Sequence, residues 1–296
     1  MLRAKYLSKD KTILGYACAF VASALFGSIT TLAKPTVASV NPLVLASLVS
    51  LIAAAILWPV KSKTKPKWNP KNYGMMFSVS ILGAVLAPAL YFVGLEYTTA
   101  TNATILSNSE IVFTIVIALM FFREKLNRFG YLSFGLVGFG IFMITTDFDI
   151  SQIELANIGN LFVLATMACW ALDNNISKVL TKHIEVPTII KLKSLIGGGV
   201  LAVIVLATGI TISIPTENIM NIVLLGAIGF AAPLFFFYNA IKRIGAVRTI
   251  LIFSTSAIFG VIYAAIFLQE QIKQTEIVAM GIMILGILFL YKDKTQ

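Results

Sequence analysis

Charge is scarce in this chain. Only 12% of its 296 residues are Asp, Glu, Lys or Arg, against roughly a quarter in ordinary soluble domains. Histidine occurs once, at His183, and cysteine twice, at Cys18 and Cys169. One histidine in a short loop makes no metal site, and two cysteines inside apolar blocks read as small packing residues rather than a disulfide framework. No Gly-rich loop ending in Gly-Lys-Ser/Thr occurs, so direct use of ATP is not expected. No cofactor is implied. The sequence also has few long loops, which leaves no room for a soluble domain.

What is present is apolar. Apolar residues make up 58% of the chain, with a mean hydropathy of +0.90. They fall in blocks of about 20, the length that spans a bilayer core of roughly 30 Å. The blocks seldom alternate polar with apolar, which argues against a membrane β-barrel. Helices are expected at 13–33, 42–60, 74–94, 100–121, 129–146, 157–179, 188–208, 219–241, 246–268 and 275–291. The apolar run after the basic first residues continues from Ile13 to Ala33. It outlasts a signal h-region of about 7–15 residues and reads as a retained helix. Pro35, Pro42, Pro66, Pro70, Pro187 and Pro215 are expected in loops or at helix starts. Pro88 and Pro233 are expected to kink helices from within.

The net charge of +10 has a topological origin rather than pointing to nucleic acid. With a cytoplasmic N-terminus, 21 of the 23 Lys and Arg fall on the inner side of the expected topology, and only Lys34 and Lys273 fall outside. The segment 147–156 carries Asp147, Asp149 and Glu154 and no positive charge. This asymmetry supports ten helices with both termini in the cytoplasm.

The two halves repeat one another. Phe26-Gly27 with Lys34 eight residues on resembles Trp170-Ala171 with Lys178 eight residues on. Leu86-Ala87-Pro88 with Tyr91-Phe92 resembles Ala231-Ala232-Pro233 with Phe236-Phe237. Phe121-Phe122-Arg123-Glu124 resembles Phe267-Leu268-Gln269-Glu270, and Gly135 and Gly140 match Gly281 and Gly286. The offset drifts only from 144 to 146. An odd number of crossings per unit inverts the second copy, the plan of many secondary transporters. The expected fold is therefore an all-α membrane protein, ten transmembrane helices as two inverted five-helix repeats. Residues 1–12 form a cytoplasmic N-terminal segment, 13–146 and 157–291 the repeats, and 292–296 a cytoplasmic tail.

These residues resemble the drug/metabolite transporter superfamily, specifically its ten-helix EamA-type exporters. Phe26, Gly27 and Lys34, and Trp170 and Lys178, stand where that family carries a Trp-Gly-like pair followed by a basic residue. Glu110 stands at the glutamate of a Glu-Pro pair, with Ile111 replacing the proline and Ser256-Ala257 at the second copy. Arg123-Glu124-Lys125-Leu126 and Gln269-Glu270-Gln271-Ile272 match the family's Gly-Glu ends but lack the glycine. The resemblance implies export of a small metabolite and leaves the substrate open among amino acids, other metabolites and drugs.

Glu110 is the most informative polar residue. A charge inside an apolar helix costs about 2.5–3.5 kcal/mol on insertion scales. It reads as a proton site or counter-ion to a cationic group, or as a glutamic acid bonded to a neighbouring helix. Asn108 adds polarity beside it. Trp170, Asp173 and Asn174 form a polar, aromatic stretch of the sixth helix, read as a cavity wall or as interhelical hydrogen bonding. Lys191 and Lys193 are two apart, so at most one faces a cavity; Lys193 could pair with Asp173 or attract a carboxylate. Tyr91 and Tyr238 follow the two helix prolines, as gates or as plain packing. Glu124 and Glu270 are expected to cap or pair locally. The glycines of the fifth and seventh helices could serve gating, packing or a homodimer.

The sequence thus points to a secondary transporter of a small polar or amphiphilic, amino-acid-like substrate, with proton coupling through Glu110. It is expected in the lipid bilayer of a plasma membrane. The rivals are an uncoupled channel or facilitator, a multidrug exporter, and a non-transporting membrane enzyme or sensor. Asp173 is the only intramembrane aspartate in this reading, which disfavours a hydrolytic dyad.

Overall fold

A computed structural model describes residues 2–122, 127–146, 157–244 and 246–291. Their regular structure is entirely helical. In the first half, α1 (Leu2–Phe26) continues as α2 (Ser28–Val37), followed by α3 (Pro42–Leu57). Next, α4 (Pro70–Ile81) runs through a π-helical turn at Leu82–Leu86 into α5 (Ala87–Tyr97). Then come α6 (Ala100–Leu106), α7 (Ser109–Phe122) and α8 (Arg128–Thr146). The second half starts with α9 (Ile158–Leu180) and α10 (Val186–Ala207). A second π-helical turn at Leu225–Ala231 joins α11 (Thr216–Leu224) to α12 (Ala232–Ile244). The chain ends with α13 (Ala246–Phe253), α14 (Ser256–Phe267) and α15 (Gln274–Tyr291).

Among the described residues four stretches are long and apolar enough to cross a membrane: Thr12–Val37, Pro70–Tyr97, Val186–Ala207 and Thr216–Ile244. Shorter apolar helices accompany them at Pro42–Leu57, Ser256–Phe267 and Gln274–Gly286. Phe77, Met120, Leu206 and Phe267 project outward and are more than half exposed, a surface suited to lipid and not to water.

Local chemistry sets the helix ends. Asn41 and Asn69 cap α3 and α4 by accepting from the N–H of Leu43 and Asn72, each followed by a proline that needs no partner. Asn157 caps α9 in the same way through Gly159. Pro35, expected in a loop, lies inside α2. It lies in the last turn of α2, which ends at Val37, and forgoes one helical N–H bond there.

Pro88 and Pro233 each follow a π-helical turn. Pro88 cannot bond the carbonyl of Ala84, and Ser50 Oγ donates to that oxygen at 3.5 Å instead. Two helices expected to be continuous are interrupted. The first breaks at Ser107–Asn108 and the second at Ser254–Thr255. Small hydroxyls add to the backbone bonds at these breaks: Ala103 O accepts from Ser107 Oγ at 2.7 Å as well as from Ser107 N, and Ile252 O from Thr255 Oγ1 at 2.6 Å as well as from Thr255 N. Asn108, read from sequence as polarity within the helix of Glu110, stands instead at its point of interruption.

The halves are packed into each other. α8 lies on α15, α3 on α10, α1 on α12 and α5 on α9, each pair joining one half to the other. Gly27, between α1 and α2, permits one such approach. A Cβ there would lie 2.8 Å from the Ser256 carbonyl oxygen and from Phe259 Cβ.

Two glutamates fasten loops at opposite ends of the helices. Glu185, at the start of α10, accepts from the N–H groups of Lys63 and Thr64 at 2.9 and 2.8 Å and from Thr64 Oγ1 at 2.7 Å. The Thr64 hydroxyl first, then the Lys63 amide, hold its carboxyl below the usual range. A depressed folded-state pKa means that this tether is intact above the ordinary carboxylate range and is lost as pH falls through the lower value. Proteolysis of the 61–69 loop should therefore accelerate at acid pH in the native protein, and Glu185→Gln should flatten that dependence.

Glu270, after α14, accepts from Ala100 N at 3.1 Å and from Thr101 N and Oγ1 at 2.9 and 2.5 Å, which caps α6. Nearby, Lys34 Nζ donates to the carbonyls of Leu95 and Thr98 at 2.8 and 2.5 Å, at the end of α5. Charges at both helix ends match the helix dipoles. Glu270→Ala should cost about 0.5–2 kcal/mol, the range for a lost N-cap, read as a lower melting temperature in detergent. Gln269, just before it, has φ of 58°, in the left-handed region that favours glycine. That is the position where the family's ends carry glycine. Glu124, the corresponding end of the first half, and the acidic 147–156 segment lie outside the described residues.

Candidate functional site

The bends and breaks converge on one cavity between the halves. Its polar wall consists of Glu110, Asp173 and Asn174. Its apolar wall is mainly Phe26, Trp170, Phe230, Phe237 and Phe253. The free volume is about 40 Å³, room for about three waters.

Glu110 lies in the first turn of α7, immediately after the break, and not at the middle of an unbroken helix. The break explains how a carboxylate is tolerated there. The N-terminus of α7 offers the positive end of its dipole, with the Glu110 and Ile111 N–H groups bonded to Ser107 O and Asn108 O. Glu110 is only 8% exposed, and Asn174 Nδ2 donates to its Oε1. Asn174 is on α9, so this bond joins the halves.

Asp173 is one residue away on α9 and faces a different set of partners. Lys193 of α10 is paired with it and donates to it, with both side chains no more than 2% exposed. Ser177 Oγ, one turn on, donates to Asp173 Oδ1 at 3.1 Å. Tyr238 Oη donates to Ser177 Oγ at 3.1 Å and accepts from Lys193 Nζ at 3.2 Å. The lysine also lies 5.6 Å from the centre of the Tyr238 ring. A buried pair survives desolvation only when its remaining hydrogen-bonding capacity is met, and Ser177 and Tyr238 meet it. Of the two lysines, Lys193 is the one turned inward; Lys191 donates to Val60 O at 2.9 Å.

Gly83, in the first π-helical turn, makes room for this pair. A Cβ there would collide with the Asp173 carboxylate and lie 2.8 Å from Lys193 Nζ. Trp170 Nε1 donates to the Gly83 carbonyl at 3.4 Å, so its indole N–H is engaged and its ring is left to the cavity. The rings form a continuous cluster. Phe26 lies 5.6 Å from Trp170 and 4.8 Å from Phe253, which lies 4.6 Å from Phe237.

Four of the residues singled out in the sequence, Glu110, Trp170, Asp173 and Asn174, share this cavity. Lys193 and Tyr238 stand behind it, through Asp173. Tyr91 is buried behind Trp170, 5.6 Å between ring centres, and borders a separate small void with Ser107 and Thr104. Asn108 sits at the break and faces neighbouring hollows, one shared with Phe253 and Ser254 and one with Met280 and Met283. Sequence reading passed over Ser177, Phe230, Phe237 and Phe253. Ser177 had a signal, four residues after Asp173 on one helical face. The phenylalanines had none, being indistinguishable from lipid-facing or core residues in a chain with 21 of them.

Comparison with known proteins agrees with this architecture. An "Uncharacterized transporter" of Methanothermobacter thermautotrophicus is 28% identical over 95% of this chain and 87% of its own length. "Uncharacterized transporter YyaM" of Bacillus subtilis is 26% identical over 96% of this chain and 93% of its own. A solved crystal structure superposes with a TM-score of 0.68 at 12% identity, over 95% of this chain and 96% of that one, a likeness of fold. The description "EamA-like transporter family" matches residues 13–146 and again 157–292. The chain therefore belongs to the EamA-like transporter family: it is a multi-pass membrane protein and a transporter, not an enzyme.

Proposed function

We propose that this protein is a secondary transporter that exports a small polar or amphiphilic, amino-acid-like metabolite across the plasma membrane by alternating access. In this reading α1 and α2 form one span, α4 and α5 one, α6 and α7 one, α11 and α12 one, and α13 and α14 one. With α3, α8, α9, α10 and α15 they make ten spans in two inverted repeats, both termini cytoplasmic. The segments 13–146 and 157–291 are the repeats.

The observation that carries the reading is the cavity between the halves, where Glu110 meets Asn174 beside two interrupted helices. Interrupted and bent helices at a site shared by two repeats are a recurring arrangement in carriers. The tight fit of the aromatic wall favours a carrier over an open channel, because passage requires the rings to part. Glu110 serves as the coupling carboxylate, holding a proton or the substrate's ammonium in turn.

The test is counterflow of labelled amino acids and amines in proteoliposomes, with and without a pH gradient. The expected result is faster uptake when the lumen is preloaded with the same unlabelled compound, and a change in rate with the gradient. Flux that ignores preloading would replace the carrier by a channel.

A further inference from the structure

The walls of the central cavity carry more information than the polarity of their residues. Among the described residues its ionisable groups are Glu110 and Asp173, and no lysine or arginine lines it. Lys193 is spent on Asp173 and Tyr238 and is not among the lining residues. Asp173 is itself neutralised by that pairing and by Ser177. Glu110 is different: it accepts from the neutral amide of Asn174, and no cationic side chain bonds it among the described residues. The rings of Phe26, Trp170 and Phe253 line the same cavity.

We infer that the cavity selects an organic cation with an apolar or aromatic body, and that it recognises the ammonium end of a substrate without recognising a carboxylate. The inference rests on the transporter reading and, within its small polar or amphiphilic substrates, replaces the amino-acid-like compound by an amine. An ammonium entering here would meet both the Glu110 carboxylate and ring faces. Aromatic faces attract cations within about 6 Å of the ring centre, more strongly when water is excluded. A substrate carboxylate would meet two acids and no uncommitted donor of positive charge. It would have to detach Lys193 from Asp173, exposing a buried aspartate without a partner. Amines and quaternary ammonium ions should therefore bind better than the amino acids that share their side chains. With room for only about three waters in the present cavity, binding is coupled to parting of the rings.

Three related compounds isolate the two charges: L-phenylalanine, phenethylamine, which lacks its carboxylate, and 3-phenylpropionate, which lacks its ammonium. Equilibrium binding to the purified full-length protein, by displacement of labelled phenethylamine, should rank the amine first, the amino acid second and the acid last. At least tenfold should separate the amine from the amino acid, and the acid should not compete. Glu110→Gln, checked for an unchanged melting profile, should weaken the amine at least tenfold and leave the amino acid little altered. Equal or tighter binding of phenylalanine or phenylpropionate overturns the inference. So does amine binding that survives Glu110→Gln, or absence of binding by all three. Counterflow of the same compounds separates this from the transporter reading. Amine binding without counterflow keeps the ligand class and refutes the carrier. Counterflow of an amino acid without amine binding keeps the carrier and refutes the ligand class.

Discussion

Lys193→Met, made alone, is expected to destabilise the protein by about 3–5 kcal/mol, the range for breaking one side of a buried ion pair. The lysine and its partner Asp173 are no more than 2% exposed. Removing the ammonium leaves the carboxylate with Ser177 and Tyr238 alone, both neutral. Asp173→Leu should be about as damaging, for the converse reason. The double variant Asp173→Leu/Lys193→Met should recover most of the loss, since apolar replacement of a complete buried pair is often neutral or better. Thermal unfolding in detergent reads this as a low melting temperature for each single variant and a near-parental one for the double. A double variant as unstable as the singles would mean that Ser177 and Tyr238 depend on the charges for their own placement. The pair would then be inseparable from the packing of α9 on α10.

Glu110→Gln is expected to keep the fold and lose function. Gln is of similar size and its carbonyl can still accept from Asn174. What disappears is the negative charge. A hydrogen bond to a charged group is worth about 1.5–3 kcal/mol. Affinity for a substrate ammonium should therefore fall roughly 10- to 100-fold. Any dependence of transport on a pH gradient should vanish with it. Glu110→Asp keeps the charge but shortens its reach, and should retain pH dependence at reduced rate. Full rate and unchanged pH dependence in Glu110→Gln would remove Glu110 from the transport cycle.

These two variants separate two carboxylates that look alike in the sequence. Both lie in apolar helices, and both were legible as improbable charges in a membrane. Their division of labour was not legible, because it depends on which helix stands opposite. Asp173 faces Lys193 across α9 and α10, 20 positions apart in sequence. Glu110 faces Asn174, 64 positions away. The family, the repeat and the helical class could be read from Phe26-Gly27, Trp170, the paired prolines and the spacing of basic residues. These are local signals of backbone geometry and topology.

The interruptions at Ser107–Asn108 and Ser254–Thr255 escaped for a physical reason. Serine, threonine and asparagine are compatible both with a polar helix face and with a break, where their side chains replace lost backbone bonds. At Ser254–Thr255 the packing of α1 and α14 around Gly27, and the bond of Ser23 Oγ with Thr255 Oγ1 at 2.7 Å, accompany the break. The shift of Glu110 from mid-helix to a helix N-terminus follows from the break at Ser107–Asn108 and changes its electrostatics.

The central claim is that one cavity opens in turn to each side of the membrane. Single cysteines at Phe253 and Leu234, in a background lacking Cys18 and Cys169, test it most directly. Each is treated with a membrane-impermeant thiol reagent applied from one side of oriented vesicles. The account predicts labelling from both sides, slowed in each case by a transported substrate. Labelling from one side only, unchanged by substrate, would contradict alternating access at this cavity.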